Sequence, residues 1–192
     1  LAPSGGNCQP WQFDWHDSRL ELAVHPQRGD TLLDHRRHAS LLAVGAALEY
    51  LCTAARATGW TPKVSAFPRG VDVPRVAAHV RFDPAPVDET ARPWVEHFAS
   101  RVTNRKIAGE RSALPPGALE DLTELARSMG GALHVVTGDE ALHRAGEVLA
   151  EGDRFRFLQP RLHRDVLAEV RFTDEEVRRT RDGLDLASLE MD

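Results

Sequence analysis

The sequence predicts an α+β protein, rich in helix with a few mostly antiparallel strands, on three observations. A long apolar segment, 39–59, carries only Glu49 and Arg56 as charges. Residues 20–25 (LELAVH) and 76–82 (VAAHVRF) alternate apolar and polar with period two. Helix-opening signals then recur at Leu114-Pro115-Pro116-Gly117, Thr137-Gly138-Asp139-Glu140 and Thr173-x-x-Glu176. At 192 residues, 42% of them hydrophobic, the chain can bury a core without disulfides or a structural metal.

Each element follows in order. The segment 20–25 reads as a strand, and 39–59 as a core helix stopped by Gly59, because Leu41, Leu42, Val44, Leu48, Leu51 and Cys52 lie nearly all round it. Its internal charges favour a buried helix over a membrane span. Residues 63–67 (KVSAF) are expected to pair with 76–82, whose Val76, Ala78, Val80 and Phe82 share a face, through a turn at Pro68–Pro74. Asp83–Pro93, with three prolines, is a connector. Helices are then predicted at 92–100, from 114 to about 128, from 137 to about 151, at 162–171 and at 173–181, with a strand at 132–136.

Charge and cysteine use narrow the function. The net charge of -5, with acids and bases interleaved, provides no basic stripe for a nucleic-acid backbone, and neither nucleic acid nor membrane is expected as a partner. Cys8 and Cys52 are the two cysteines, too few for a disulfide framework, which favours a reducing, cytoplasmic setting. Of 24 basic residues only Lys63 and Lys106 are lysine, and arginine suits forked recognition of phosphate. Leu1 is not methionine and a glycine-rich motif follows at once; no signal peptide is visible, and both ends are expected to be cut from a longer protein.

Two segments could carry chemistry. The opening, Ala2-Pro3-Ser4-Gly5-Gly6-Asn7-Cys8-Gln9-Pro10-Trp11, combines glycines that let a ligand approach the backbone with hydroxyl and amide groups that both donate and accept. That set suits a flat heterocycle edged with carbonyls and ring nitrogens. It equally reads as a polar loop ahead of a hairpin, with Trp11 and Phe13 in the core. The second segment, Ser100-Arg101-Val102-Thr103-Asn104-Arg105-Lys106, places three cations at a helix end, as a phosphate site or as a solvated basic turn. No HExxH, paired Cys/His spacing, GxSxG, GxGxxG or GxxxxGK[ST] occurs, so metal, serine-hydrolase, Rossmann and P-loop readings lack their primary signal. Cys8 is expected to be a bystander thiol.

Together the two segments resemble the nitroreductase family of FMN-dependent oxidoreductases. Ala2, Pro3, Ser4, Asn7, Gln9, Pro10 and Trp11 match that family's APSxxNxQPW segment. Arg101-x-Thr103-x-Arg105 is similar to its Arg-x-Ser-x-Arg/Lys segment. The resemblance implies a nitroreductase-like fold, a central mostly antiparallel sheet packed with helices. It implies flavin contacts at Pro3, Ser4, Gly5, Asn7 and Gln9, and phosphate or ribityl contacts at Arg101, Thr103, Asn104 and Arg105. No acid or base catalyst and no metal ligand is assigned, because the flavin carries the hydride chemistry.

The family's arginine segment normally precedes the APSxxNxQPW loop, whereas here it follows by about 90 residues. This order resembles an actinobacterial branch with two nitroreductase-like halves fused into a pseudo-dimer, as do Gly152–Leu158 and Arg181-Asp182-Gly183-Leu184. Ala126–Gly131 is a degenerate echo of the opening without the Asn, Gln and Trp. The expected division is a first half at 1–92, lacking its leading helix, and the start of a second at 93–192, lacking its later strands. The implied partners are a nicotinamide donor, a small organic acceptor, and a pseudo-dimer or homodimer arrangement. Two alternatives stay open: a non-catalytic FMN-sequestering or interaction domain, and a flavin dehydrogenase domain acting on an intermediate from an attached ubiquitin-activating-like adenylating domain.

Overall fold

A computed structural model describes residues 2–70, 75–104 and 113–189. Arg105, Lys106 and part of the expected turn, 71–74, lie outside these residues. The chain divides into two compact units, residues 1–105 with 160–192, and residues 106–159.

The larger unit is built on an antiparallel sheet of four strands in the order β1-β2-β4-β3. Strands β1 (Trp11–His16) and β2 (Arg19–Val24) form a hairpin in the register Phe13↔Leu22 and Trp15↔Leu20. Asp17 and Ser18 both take positive φ at its tip, the requirement of a two-residue turn matched to strand twist. Strand β3 (Trp60–Ala66) pairs with β4 (Val76–Pro84), Val64 opposite Val80, as the sequence predicts. The shared face of β4 is confirmed where it matters most: Val76, Ala78 and Val80 are at most 3% exposed.

Helix α1 (His38–Ala57) covers that face. Leu22, Val24, Val44 and Ala78 form the buried cluster, with Trp11, Leu41 and Leu48 packed against it. The segment His35–Ala57 is long and apolar enough to cross a bilayer by length and composition. Its buried residues include Ala43, Val44, Ala47 and Cys52, and Val44 is the one that joins Leu22, Val24 and Ala78 in the central cluster. Leu42 is 77% exposed, so the apolar belt has a bare flank. Asp34 caps the helix from outside it, its carboxylate accepting from Ala39 N at 2.7 Å and from Ser40 Oγ at 2.5 Å, which places negative charge at the positive end of the dipole. At the other end Gly59 has φ +87°, and a Cβ there would stand 3.1 Å from the Ala85 carbonyl. The glycine is therefore both stop and close contact.

Helix α2 (Arg92–Ser100) begins where predicted and stacks Phe98 on Tyr50 of α1 at 3.7 Å between ring centroids. Later in the same unit come α5 (Pro160–Glu169), anchored by Leu162 at 2% exposure, and α6 (Asp174–Thr180). The capping box that opens α6 is present in full: Glu176 N donates to Thr173 Oγ1, and the Glu176 carboxylate accepts from Thr173 N. The predicted helix 162–171 ends early. Val170–Arg171 form a short strand, β5, parallel to β6 (Leu184–Asp185), so a nonlocal partner takes the last two residues from the helix.

The smaller unit holds α3 (Ala118–Ser128) and α4 (Asp139–Leu158). Three expectations are corrected here. Residues 132–136 are not a strand, since their unit offers no strand to complete a ladder among the described residues. The Thr137–Glu140 capping box does not form, because α4 starts at Asp139 with Gly138 as N-cap, and glycine has no side chain to cap with. Helix α4 also runs through Gly152 to Leu158, stopping where Gln159 is extended ahead of Pro160.

Candidate functional site

The opening motif folds as a tight turn ahead of β1. Gly5–Asn7 make one turn of 3-10 helix, closed by Asn7 N donating to Ser4 O at 3.1 Å and Cys8 N to Gly5 O at 3.0 Å. Gly6, Asn7 and Gln9 all have positive φ, between 48° and 53°, a backbone that favours glycine and asparagine. Ser4 Oγ accepts from Gln9 N at 3.1 Å, which closes the loop on itself, and the Ser4 side chain also hydrogen-bonds the Cys8 thiol. Ala2 and Pro10 are buried at either end, while Pro3 and Gly5 are exposed. A Cβ added at Gly5 would meet nothing within 4 Å. The turn thus leaves open space at Gly5, between a half-buried Ser4 and a half-buried Asn7.

The other flank is covered by residues 169–183, which sequence reasoning did not place here. Gln9 Nε2 donates to the Arg181 carbonyl at 2.6 Å, and Gly183 N donates to the Asn7 carbonyl at 3.2 Å. A Cβ at Gly6 would stand 2.8 Å from the Glu169 carboxyl carbon, so that side chain lies directly against the loop. Gly183, at φ +77°, sits against Arg171 and the Glu169 carbonyl. Arg171 in turn grips Asp182, Nη2 to Oδ1 at 2.7 Å, with both side chains about one-fifth exposed. Burial raises the Asp182 pKa, but hydrogen bonds from Arg171 and Thr180 and the Arg171 charge outweigh it and hold the carboxyl below its ordinary value. Around Cys8, burial and then the Glu169 charge push the thiol up, which favours its protonated form. A bystander thiol is what the sequence predicts.

Arg101, Thr103 and Asn104 follow α2 as an exposed stretch. Arg101 N caps the helix through the His97 carbonyl at 3.0 Å, and its Nη1 donates to Thr103 Oγ1 at 3.2 Å. Arg101 and Thr103 are therefore brought together. Ser4, Asn7 and Gln9 belong to a separate element, and α1 is the helix that packs against both that turn and α2.

A separate open cleft of about 290 Å³ lies between α1 and α2, lined by Glu49, Thr53, Arg56, Thr90, Trp94 and Phe98 among others. Arg56 Nη2 ties Glu49 and Thr53 together at 3.0 and 2.9 Å. None of the expected flavin residues lines it. No group of three or more His, Cys, Asp or Glu side chains among the described residues could hold a metal ion.

Comparison with known proteins gives a partial relation. The whole chain is 32% identical over 206 residues to "Uncharacterized protein MT1398" of Mycobacterium tuberculosis, covering 26% of it. Over 84 residues, 44% of the chain, it is 36% identical to "Putative NAD(P)H nitroreductase acg" of the same organism, covering 25% of that protein. The same match is found to the corresponding protein of a second strain. The chain spans about a quarter of the length of these curated relatives. No family model matches it. Part of this chain is thus similar to a protein named for nitroreductase activity, and its α+β fold with a four-stranded antiparallel sheet is compatible with that relation.

Proposed function

We propose that this chain is part of an FMN-dependent oxidoreductase of the nitroreductase type, which moves electrons from NAD(P)H to a small organic acceptor. The observation that carries the reading is the Gly5–Asn7 turn, with open space at Gly5 beside Ser4 and Asn7. The donor set fits FMN at both ends. Hydroxyl, amide and turn backbone suit the ring edge, and guanidinium and hydroxyl at Arg101 and Thr103 suit the phosphate. The name of the relative supports a nicotinamide donor.

In this reading Pro3, Ser4, Gly5, Asn7 and Gln9 form the ring-facing loop, and Arg101, Thr103, Asn104 and Arg105 anchor the phosphate and ribityl chain. When bound, FMN supplies the hydride and electron transfer chemistry. The chain's own residues hold and orient it. The loop turn is fixed by its internal hydrogen bonds before any ligand arrives, so little ordering cost falls on binding. The assembly is a pseudo-dimer of halves 1–92 and 93–192, or a homodimer, working in the cytoplasm.

Comparison of FMN with riboflavin tests the phosphate assignment. Arg101→Ala and Arg105→Ala are expected to weaken FMN binding by about 2 kcal/mol, the loss of a charged hydrogen bond, and to leave riboflavin binding unchanged. Equal effects on the two ligands, or none on FMN, would remove both arginines from the site.

A further inference from the structure

We propose that residues 169–183 are the positioning element of the opening loop, and that Gln9 engages this strap through its side chain while Ser4 and Asn7 face the ligand. The inference rests on the reading of the loop as the flavin's ring-facing element, which it deepens.

Four contacts carry it. Gln9 Nε2 donates to the Arg181 carbonyl at 2.6 Å, across 172 residues of sequence. Gly183 N donates to the Asn7 carbonyl at 3.2 Å. The Glu169 side chain closes on Gly6. The strap itself is locked by Arg171, whose guanidinium holds Asp182 at 2.7 Å and reaches the Ala168 carbonyl at 2.8 Å. Arg171 and Asp182 make none of the hydrogen bonds to the loop among these contacts, so both act on it through Arg181 and Gly183.

The consequence is a division of labour inside the motif. One of the two N–H donors of the Gln9 carboxamide is taken by the strap, which fixes the orientation of the group. Ser4 Oγ has accepted from Gln9 N and the Ser4 side chain bonds the Cys8 thiol, while the Asn7 carbonyl is held by Gly183 N. Loss of the strap would therefore loosen Ser4 and Asn7 without removing either. Local opening of this kind is read by exchange at the amides that the turn protects, here Asn7 N on Ser4 O and Cys8 N on Gly5 O.

The experiment is amide hydrogen exchange at Asn7 and Cys8, with FMN affinity measured in parallel, for the native protein, Gln9→Ala, Asp182→Asn, the double variant, and Asp182→Glu. Each single variant is expected to speed exchange about tenfold and to weaken FMN by a similar factor. The double variant should be faster than either single by less than the product of their two factors, because Asp182→Asn already loosens the Gln9–Arg181 contact along with the one at Gly183. Asp182→Glu keeps a carboxylate for Arg171 and should recover slow exchange. Native exchange rates in Asp182→Asn would overturn the strap. Additive effects in the double variant would do the same. Weakened FMN in Gln9→Ala with unchanged exchange would make Gln9 a direct ligand and overturn its assignment here. Failure of the native protein to bind FMN would overturn the flavin reading alone, and the exchange rates would then decide the strap by themselves.

Discussion

Gly183→Ala tests the strap against its own steric geometry. A Cβ at this position would stand 2.7 Å from both the Glu169 carbonyl oxygen and the Arg171 guanidinium carbon. The residue also has φ +77°, and adopting it costs an L side chain about 1 kcal/mol. Relief of the clash requires a shift of roughly 0.7 Å, since ordinary contacts begin near 3.4 Å. That shift stretches the Gly183–Asn7 hydrogen bond, already 3.2 Å long, at a cost of about 1 kcal/mol, and disturbs the charged Arg171–Asp182 bond, about 1 to 2 kcal/mol more, or about 3 to 4 kcal/mol with the backbone cost included. Gly70→Ala is the matched control. Gly70 has φ +88° but nothing within 4 Å of the added carbon, so it isolates the backbone term of about 1 kcal/mol. Urea unfolding followed by tryptophan fluorescence measures both. Costs equal to within about 0.5 kcal/mol would refute the argument, because the clash would then contribute nothing beyond ordinary surface variation.

Three further outcomes follow from the same structure. Leu22→Ala empties a fully buried position in the central cluster and should cost about 2 to 5 kcal/mol in the same unfolding assay. Cys8 should alkylate more slowly at pH 8 than a thiol in an unstructured peptide, because its raised pKa leaves less thiolate; mass spectrometry of iodoacetamide-treated protein reads this directly, and a peptide-like rate would contradict it. The lowered pKa of Asp182, which faces Arg171, Thr180 and the Arg28 charge, means that its stabilisation is complete above the unfolded carboxylate value and is lost as pH falls through the lower folded one. Asp182→Asn should therefore flatten the acid limb of the stability curve, and an unchanged acid limb would argue that the pair contributes nothing.

Much of the larger unit was legible because its signals are local. Period-two alternation at 76–82 became a strand whose inward residues are buried, and the Thr173-x-x-Glu176 box formed as written, both within a few residues of chain. Two of the failures share the opposite cause, a pairing decided by a distant partner. Val170–Arg171 left their predicted helix for Leu184–Asp185, and Ala132–Val136 found no strand to join. The capping pattern at Thr137 failed for a local reason, since Gly138 occupies the position from which a side chain must cap. In the candidate site, the turn at Gly5–Asn7 was readable from glycine and asparagine. The Gln9–Arg181 contact was not, because 172 residues separate its partners and neither carries a mark of the other.

The central claim, a flavin oxidoreductase, is tested most directly by the visible spectrum of the purified protein loaded with FMN, recorded without oxygen before and after addition of NADPH or NADH. The account predicts retained flavin bands that bleach on addition of the nicotinamide. A protein that takes up no FMN would contradict the site, and one that holds FMN unbleached by either nicotinamide would contradict the enzyme while leaving sequestration as its role.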